Sequence, residues 1–224
     1  MPSARPEPPE AVLFDLDGTF ADTAPDLGAA LNALRAELGL PPAELARLRP
    51  FTSQGVRGML GAGLGMRPDH PDYPRQYQRF LDHYQRALCV HTRLFAGIGE
   101  LVDALEASGV RWGIVTNKSQ RFTLPLMHGL GYARRAACLV SGDSSPRAKP
   151  WPQPMLLACA VAGCQPERTL YVGDDRRDID AGRAVGMTTV AVRYGYLGDC
   201  GPIEDWGADH LVDHPDAIAA LLGR

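Results

Sequence analysis

Hydrophobic positions along the chain fall into two rhythms. Short apolar runs that stop abruptly at polar or turn residues alternate with stretches where apolar residues recur every three or four positions. The first rhythm predicts buried strands and the second predicts amphipathic helices. A strand is predicted over Ala11-Val12-Leu13-Phe14, ending in Asp15-Leu16-Asp17-Gly18-Thr19. A helix follows over Pro25 to Gly39, stopped by Gly39 and by Pro41-Pro42. From there to about Phe95 the chain is helix-compatible and shows no convincing strand. Its clearest helix is predicted over Tyr73 to Leu88, with Tyr77, Phe80, Leu81 and Tyr84 on one face. Beyond Leu94 the rhythms alternate. Helices are predicted over 99–108, 120–130, 154–162, 179–185 and 215–222, and strands over 111–115, 137–140, 169–172, 188–192 and 210–212.

Repeated strand–helix units imply an α/β fold, a Rossmann-like parallel sheet with helices on both faces. The helical stretch is then an insert. The expected organisation is a disordered, proline-rich lead-in over 1–10, an α/β core over 11–21 and 96–224, and a small helical domain over 22–95. In such sheets ligands lie beyond the carboxyl ends of the strands. The chemistry-bearing residues follow that rule. Asp15 and Asp17 end one predicted strand, Thr116 and Asn117 another, and Asp174, Asp175 and Asp178 a third; Lys149 lies in the connection after Val140.

Composition narrows the classes. The chain has 224 residues, 45% of them hydrophobic and 22% charged, with a formal net charge of −3, which excludes an electrostatic nucleic-acid binder or anionic-membrane binder. No apolar stretch approaches the roughly 18 residues of a membrane helix. The N-terminus has no apolar signal region, so a cytoplasmic protein is expected. Five cysteines, an odd number with no C-x-x-C pair, fit reduced, buried thiols and neither a disulfide framework nor a zinc knuckle.

Two carboxylates one residue apart at a buried strand end repel each other and need a cation. A crevice holding them with Asp174, Lys149 and Thr116 suits a phosphate monoester. Asp15 and Asp174 offer carboxylate oxygens to Mg²⁺, and Asp17 offers its backbone carbonyl. Thr116, Asn117 and Lys149 offer donors to phosphoryl oxygens. One aspartate can act as nucleophile through an aspartyl-phosphate and a second as acid and base.

Asp15-Leu16-Asp17-Gly18-Thr19, Val115-Thr116-Asn117-Lys118, Lys149-Pro150 and Gly173-Asp174-Asp175-Arg176-Arg177-Asp178 resemble, in order and spacing, the four motifs of haloacid dehalogenase-like phosphatases. The resemblance covers almost the whole chain after residue 10. It implies Asp15 as nucleophile, Asp17 as general acid/base, Thr116 and Lys149 as phosphate binders, and Asp174 as a metal ligand. Asp178 would support the metal directly or through water, and Asp175 could share that role. The insert resembles the family's small helical cap, which closes over the site. Segments such as Val90 to Gly97, Val192 to Tyr196 and Trp206 to Asp209 look like the phosphoglycolate phosphatase and N-acetylmuramic acid 6-phosphate phosphatase group. The implied enzyme is a Mg²⁺-dependent phosphatase of a small phosphorylated metabolite, a monomer or homodimer. Two departures are Trp151 in Lys149-Pro150-Trp151-Pro152, where Asp is frequent, and Phe20, where Leu is common.

Asp17 disfavours a hydrolytic dehalogenase, and the absence of lysine between Asp22 and Phe95 disfavours a phosphonate-cleaving relative. A sugar phosphomutase using the same two aspartates and a non-catalytic binding module on the same fold are the rival readings. Other features read plainly. Gly61-Ala62-Gly63-Leu64-Gly65-Met66 is expected to be a loop of the insert. Thr52 to Arg57 is a helix start that could bring Ser53 or Arg57 to substrate. His210 and His214 are expected on the surface, His91 in a structural role, and Arg176 and Arg177 either reaching substrate or on a solvated loop face.

Overall fold

The computed structural model describes residues 8–222. The chain enters through β1 (Ala11–Phe14) and turns into a two-residue strand, β2 (Ala21–Asp22). Helices α1 (Ala24–Glu37), α2 (Leu45–Leu48), α3 (Gly55–Leu64) and α4 (Tyr73–Arg86) follow, with a 3-10 segment at Arg49–Gln54. β3 (Arg93–Leu94) brings the chain back, and α5 (Ile98–Ala107), β4 (Arg111–Val115), α6 (Gln120–Gly129), β5 (Cys138–Val140) and α7 (Gln153–Ala162) come next. The chain closes with β6 (Thr169–Gly173), α8 (Arg176–Arg183), β7 (Thr188–Val192), β8 (His210–Val212) and α9 (Asp216–Ala220).

Six strands form one parallel sheet in the order β5-β4-β1-β6-β7-β8. The fold is α/β and Rossmann-like, as the alternating rhythms predict. Successive residues of β1 face opposite layers. Val12 and Phe14 pack with Leu101, Leu105, Trp112 and Leu126 on one side, while Ala11 and Leu13 pack with Val115, Met155, Ala158 and Tyr171 on the other. β1 lies between β4 and β6, with Phe14 level with Ile114 and Val172. The residues that follow these three strands therefore emerge together at one sheet edge.

The helices between β2 and β3 have a core of their own, built from Leu27, Leu31, Leu34, Met59, Phe80 and Tyr84, and Phe122 of α6 packs into it. Four local expectations need correction. Residues 22–95 do contain strand: Ala21 pairs with Leu94 and Asp22 with Arg93 in an antiparallel ribbon too short to show alternation. The glycine-rich stretch expected as a loop is mostly the end of α3; a Cβ at Gly63 would lie 2.2 Å from Leu31, so glycine permits α1 and α3 to approach closely. α8 begins at Arg176 because Asp175 and Asp178 form a capping box. Of the expected disordered lead-in, residues 1–7 lie outside the described residues, but Glu10 is fixed. Its N–H donates to the Arg168 carbonyl at 2.7 Å, and its own carbonyl accepts from Arg111 at 3.1 Å. All five cysteines are unpaired thiols, and Cys138, Cys159 and Cys164 are buried. Among the described residues no helix is long and apolar enough to cross a membrane.

Candidate active site

The loop after β1 folds back sharply. The Ala21 N–H donates to the Leu16 carbonyl at 2.9 Å, and Gly18 takes a φ of +92°. Glycine is required there twice over, because a Cβ would also fall 2.1 Å from Asp174 Oδ2. Gly195 presses on Asp174 from another side, where a Cβ would lie 2.2 Å from the Asp174 Cβ. The loops after β1, β6 and β7 thus converge on one point.

Asp15, Asp174 and Asp178 are all buried there, with carboxylate oxygens within 4.8 Å of one another. Asp174 accepts from Thr19 Oγ1 and Ser53 Oγ at 3.1 Å each and from the Tyr196 N–H at 2.8 Å. Burial, together with the neighbouring Asp15 and Asp178 carboxylates, pushes the Asp174 carboxyl well above the ordinary range. Burial likewise pushes Asp178 up to about 7 against the pull of Lys149. Lys149 is the one ammonium bonded within this trio of acids, so negative charge is under-compensated. An all-oxygen, buried, acid-rich cluster of this kind fits a hard divalent cation such as Mg²⁺. The other two acids of the set stand outside it. Asp17 is held by Lys118 Nζ at 2.9 and 3.1 Å and by Thr23 Oγ1 at 2.5 Å. Asp175 caps α8 and pairs with Arg177 at 2.7 Å, which keeps its carboxyl below the ordinary range despite burial.

Lys149 Nζ reaches four oxygens, those of Asp15 and Asp178 at 2.7 Å, the Val115 carbonyl at 2.8 Å and Tyr171 Oη at 2.9 Å. Burial works against its charge, and the Asp15 and Asp178 carboxylates outweigh burial, so its pKa is raised. Asn117 does not point its carboxamide into the crevice. The carboxamide clasps the Lys149 backbone, donating to the carbonyl at 3.0 Å and accepting from the N–H at 2.9 Å. Thr116 is 3% exposed and its Oγ1 accepts from the Lys118 N–H at 3.1 Å.

A cavity of about 300 Å³ opens between these residues and the helical insert. Asp15, Asp17, Thr116, Lys149 and Asp178 line its floor, and Ser53, Arg57, Leu81 and Tyr84 of the insert line its roof. Ser53 joins the two bodies, with its hydroxyl on Asp174 and its carbonyl accepting from Arg177 Nη2 at 2.9 Å. Arg177 is therefore not on a solvated loop face. Arg176, His91, His210 and His214 are exposed. His91 contributes its backbone N–H, 2.8 Å from Asp26 Oδ1.

Residue-type reasoning missed Lys118 and Tyr196. Lys118 sits in Val115-Thr116-Asn117-Lys118, but nothing in the sequence says that it turns toward Asp17. In the fold, burial opposes its charge and the Asp17 carboxylate more than compensates, holding the ammonium above the ordinary lysine range. Tyr196 lies about 180 residues from the first motif, beyond the reach of any local pattern. Its hydroxyl donates to Asp22 at 2.8 Å and accepts from the Thr23 and Ala24 N–H groups at 2.7 and 2.9 Å.

Comparison with known proteins agrees with this geometry. Residues 12–192 match the family model described as haloacid dehalogenase-like hydrolase. The chain is 48% identical over 215 residues to the N-acetylmuramic acid 6-phosphate phosphatase of Pseudomonas aeruginosa, covering 96% of this chain and 95% of that protein. It is 43% identical over 214 residues to a phosphoglycolate phosphatase of Xanthomonas campestris pv. campestris, covering 94% and 95% respectively. The crystal structure of a predicted phosphoglycolate phosphatase from Haemophilus somnus superposes with a TM-score of 0.83 at 26% identity, covering 95% of this chain and 97% of that one. The chain belongs to the haloacid dehalogenase-like hydrolase family, as a phosphoric monoester hydrolase like the relatives it matches along nearly its whole length.

Proposed function

We propose that the protein is a Mg²⁺-dependent phosphatase of a small phosphorylated metabolite, working through an aspartyl-phosphate. The observation that carries this reading is the juxtaposition of two differently dressed aspartates in one cavity. Asp15 sits in the acid trio beside Lys149, and Asp17 stands apart from the trio on Lys118. Asp15 is the nucleophile: its carboxylate attacks phosphorus and the ester oxygen leaves. Asp17 protonates that oxygen, then takes a proton from the water that attacks the phosphoryl group, which regenerates Asp15 and releases inorganic phosphate. Thr116 Oγ1, the Lys149 ammonium and backbone N–H groups around Asn117 hold the phosphoryl oxygens. Asp15, Asp174 and the Asp17 backbone carbonyl hold Mg²⁺, with Asp178 beside them. Asp175 supports that set by capping α8, on which Asp178 lies. Mg²⁺ held there would supply positive charge against the phosphate.

Residues 22–95 act as the cap, opening for exchange and closing for chemistry. The substrate is N-acetylmuramic acid 6-phosphate or 2-phosphoglycolate, and the higher identity to the former's phosphatase, 48% against 43%, favours the sugar ester. The protein works in the cytoplasm as a monomer or homodimer. Phosphate release at neutral pH, with Mg²⁺ or EDTA, from both esters and with Asp15→Asn alongside, tests the reading. Mg²⁺-dependent release abolished by the substitution is the expected result. A fully active Asp15→Asn protein, or no release from either ester by folded, Mg²⁺-supplied protein, would overturn it.

A further inference from the structure

Five cations line the cavity, and three are committed. Lys118 is paired with Asp17, Lys149 with Asp15 and Asp178, and Arg177 with Asp175. The remaining two, Arg57 on α3 and Arg121 on α6, have no ion-pair partner among the described residues. One comes from the insert and one from the α/β core, and both are exposed at the cavity. Arg121 lies over the Phe122 ring at 4.5 Å, which fixes one face of the guanidinium and leaves its edge donors available. A second, independent observation lies in the same cavity. Tyr84 is 2% exposed, yet its hydroxyl has no acceptor among the described residues, and its charged neighbour, the Lys118 ammonium, can only donate. A buried hydroxyl left in that state is costly unless something that enters the cavity satisfies it. Burial pushes this phenol up to about 12, so it keeps its proton at neutral pH and can donate.

We propose, resting on the phosphatase reading, that the cavity selects phosphate monoesters whose leaving group carries a carboxylate. Arg57 and Arg121 supply the cations that recognise this second anion, and the Tyr84 hydroxyl donates to a polar atom of the same leaving group. A guanidinium meets a carboxylate edge-on through paired N–H groups, which an ester bearing only hydroxyls cannot match. Because the two arginines belong to different bodies, the substrate's own carboxylate draws the cap toward the core. Closure is then favoured most for the ester that bears it. The apolar patch of Leu27, Val56, Leu81 and Phe122 in the same cavity suits the ring face of a sugar.

N-Acetylmuramic acid 6-phosphate and N-acetylglucosamine 6-phosphate differ by one lactyl ether carboxylate, so the ratio of their kcat/KM values reads its recognition directly. The wild-type protein should prefer the acid by about tenfold or more, in line with a charge-assisted hydrogen bond. Arg57→Gln and Arg121→Gln should each lower that ratio about tenfold, chiefly through KM for the acid, and the Arg→Lys variants should restore part of it. Tyr84→Phe should lower kcat/KM for both esters. A wild-type ratio near one, or a ratio that survives both glutamine substitutions, overturns the carboxylate assignment while leaving the phosphatase reading standing. No phosphate release from either ester or from 2-phosphoglycolate, with folded protein and Mg²⁺, overturns both.

Discussion

The side chain of Asn117 closes a two-point clasp on the backbone of Lys149, donating to its carbonyl at 3.0 Å and accepting from its N–H at 2.9 Å. The residues are 32 positions apart, so this clasp sets where the lysine's stem begins. Asn117→Ala removes both bonds and leaves two backbone groups of a 5%-exposed residue unpaired. The expected loss is about 1–3 kcal/mol of stability, with a fall in kcat larger than any change in KM. Denaturant unfolding and steady-state kinetics on one preparation check it. A stable, fully active variant would show that Lys149 is positioned by its ammonium contacts alone.

Gly195→Ala should disturb the acid cluster without replacing any acid. The added methyl would sit 2.2 Å from the Asp174 Cβ and 2.6 Å from the Gly18 carbonyl, so Asp174 or the first-motif loop must move. The variant is expected to need at least about tenfold more Mg²⁺ for half-maximal activity, since misplaced ligands typically lower metal affinity by about 10–100-fold. A Mg²⁺ titration of phosphate release measures this directly.

Mg²⁺ itself should stabilise the fold. Of three buried carboxylates, Lys149 pairs with Asp15 and Asp178 and leaves Asp174 without a cation, and a cation that binds this cluster removes the repulsion between them. At a hundredfold excess over the dissociation constant, binding to the native state adds about 2.7 kcal/mol. Thermal unfolding should move up with Mg²⁺ and back with EDTA. A midpoint indifferent to both would show that the cluster does not take the ion.

Far from the cavity, Asp209 gives a pH signature. Its Oδ2 accepts from the Thr189 N–H at 2.7 Å and hydroxyl at 2.8 Å. Burial pushes its carboxyl up, but these bonds outweigh burial and hold it below the ordinary aspartate range. The folded value lies below the unfolded one of about 3.9, so the contribution is complete above that pH and is lost as pH falls through the folded value. The group is exposed, which limits the effect to less than about 1 kcal/mol. Asp209→Asn should cost stability at pH 7, and the difference from wild type should shrink toward pH 3 in urea unfolding. A difference that stays constant across that range would count against it.

Gly63→Ala should loosen the insert. The methyl would meet Leu31 Cδ2 at 2.2 Å, in the contact where α3 crosses α1. Overpacking of this kind costs about 1–3 kcal/mol. Hydrogen exchange of the amides over 24–86 should speed up more than exchange in β1, β4 and β6. Equal acceleration everywhere would show that insert and core unfold as one.

Much of this architecture was legible in the sequence. The strands and helices of the sheet announce themselves because buried strands are apolar runs and covering helices repeat every three or four residues. The site was legible where motifs end strands: Asp15, Asp17, Thr116, Lys149 and Asp174 all line or border the cluster. What stayed hidden depends on direction and distance. No local pattern shows that Asp178 enters the trio while Asp175 turns to Arg177, because both follow one strand and the choice is made by the cap of α8. Asn117 reads as a phosphate donor until its carboxamide is seen on Lys149. Tyr196, Lys118 and the β2–β3 ribbon are tertiary facts, set by which segments meet rather than by what each prefers alone.

That ribbon has one further consequence. The two points where the chain leaves and rejoins the α/β core, at Asp22 and Arg93, are hydrogen-bonded neighbours. The inserted helices therefore hang from a single narrow stalk, and their ends are already spaced for exchange. A helical module from a relative, grafted between positions 22 and 93, would meet the same two ends at the same separation. The catalytic floor would keep its registry while the roof changed, so that one hydrolytic engine can acquire new customers by trading the segment above it.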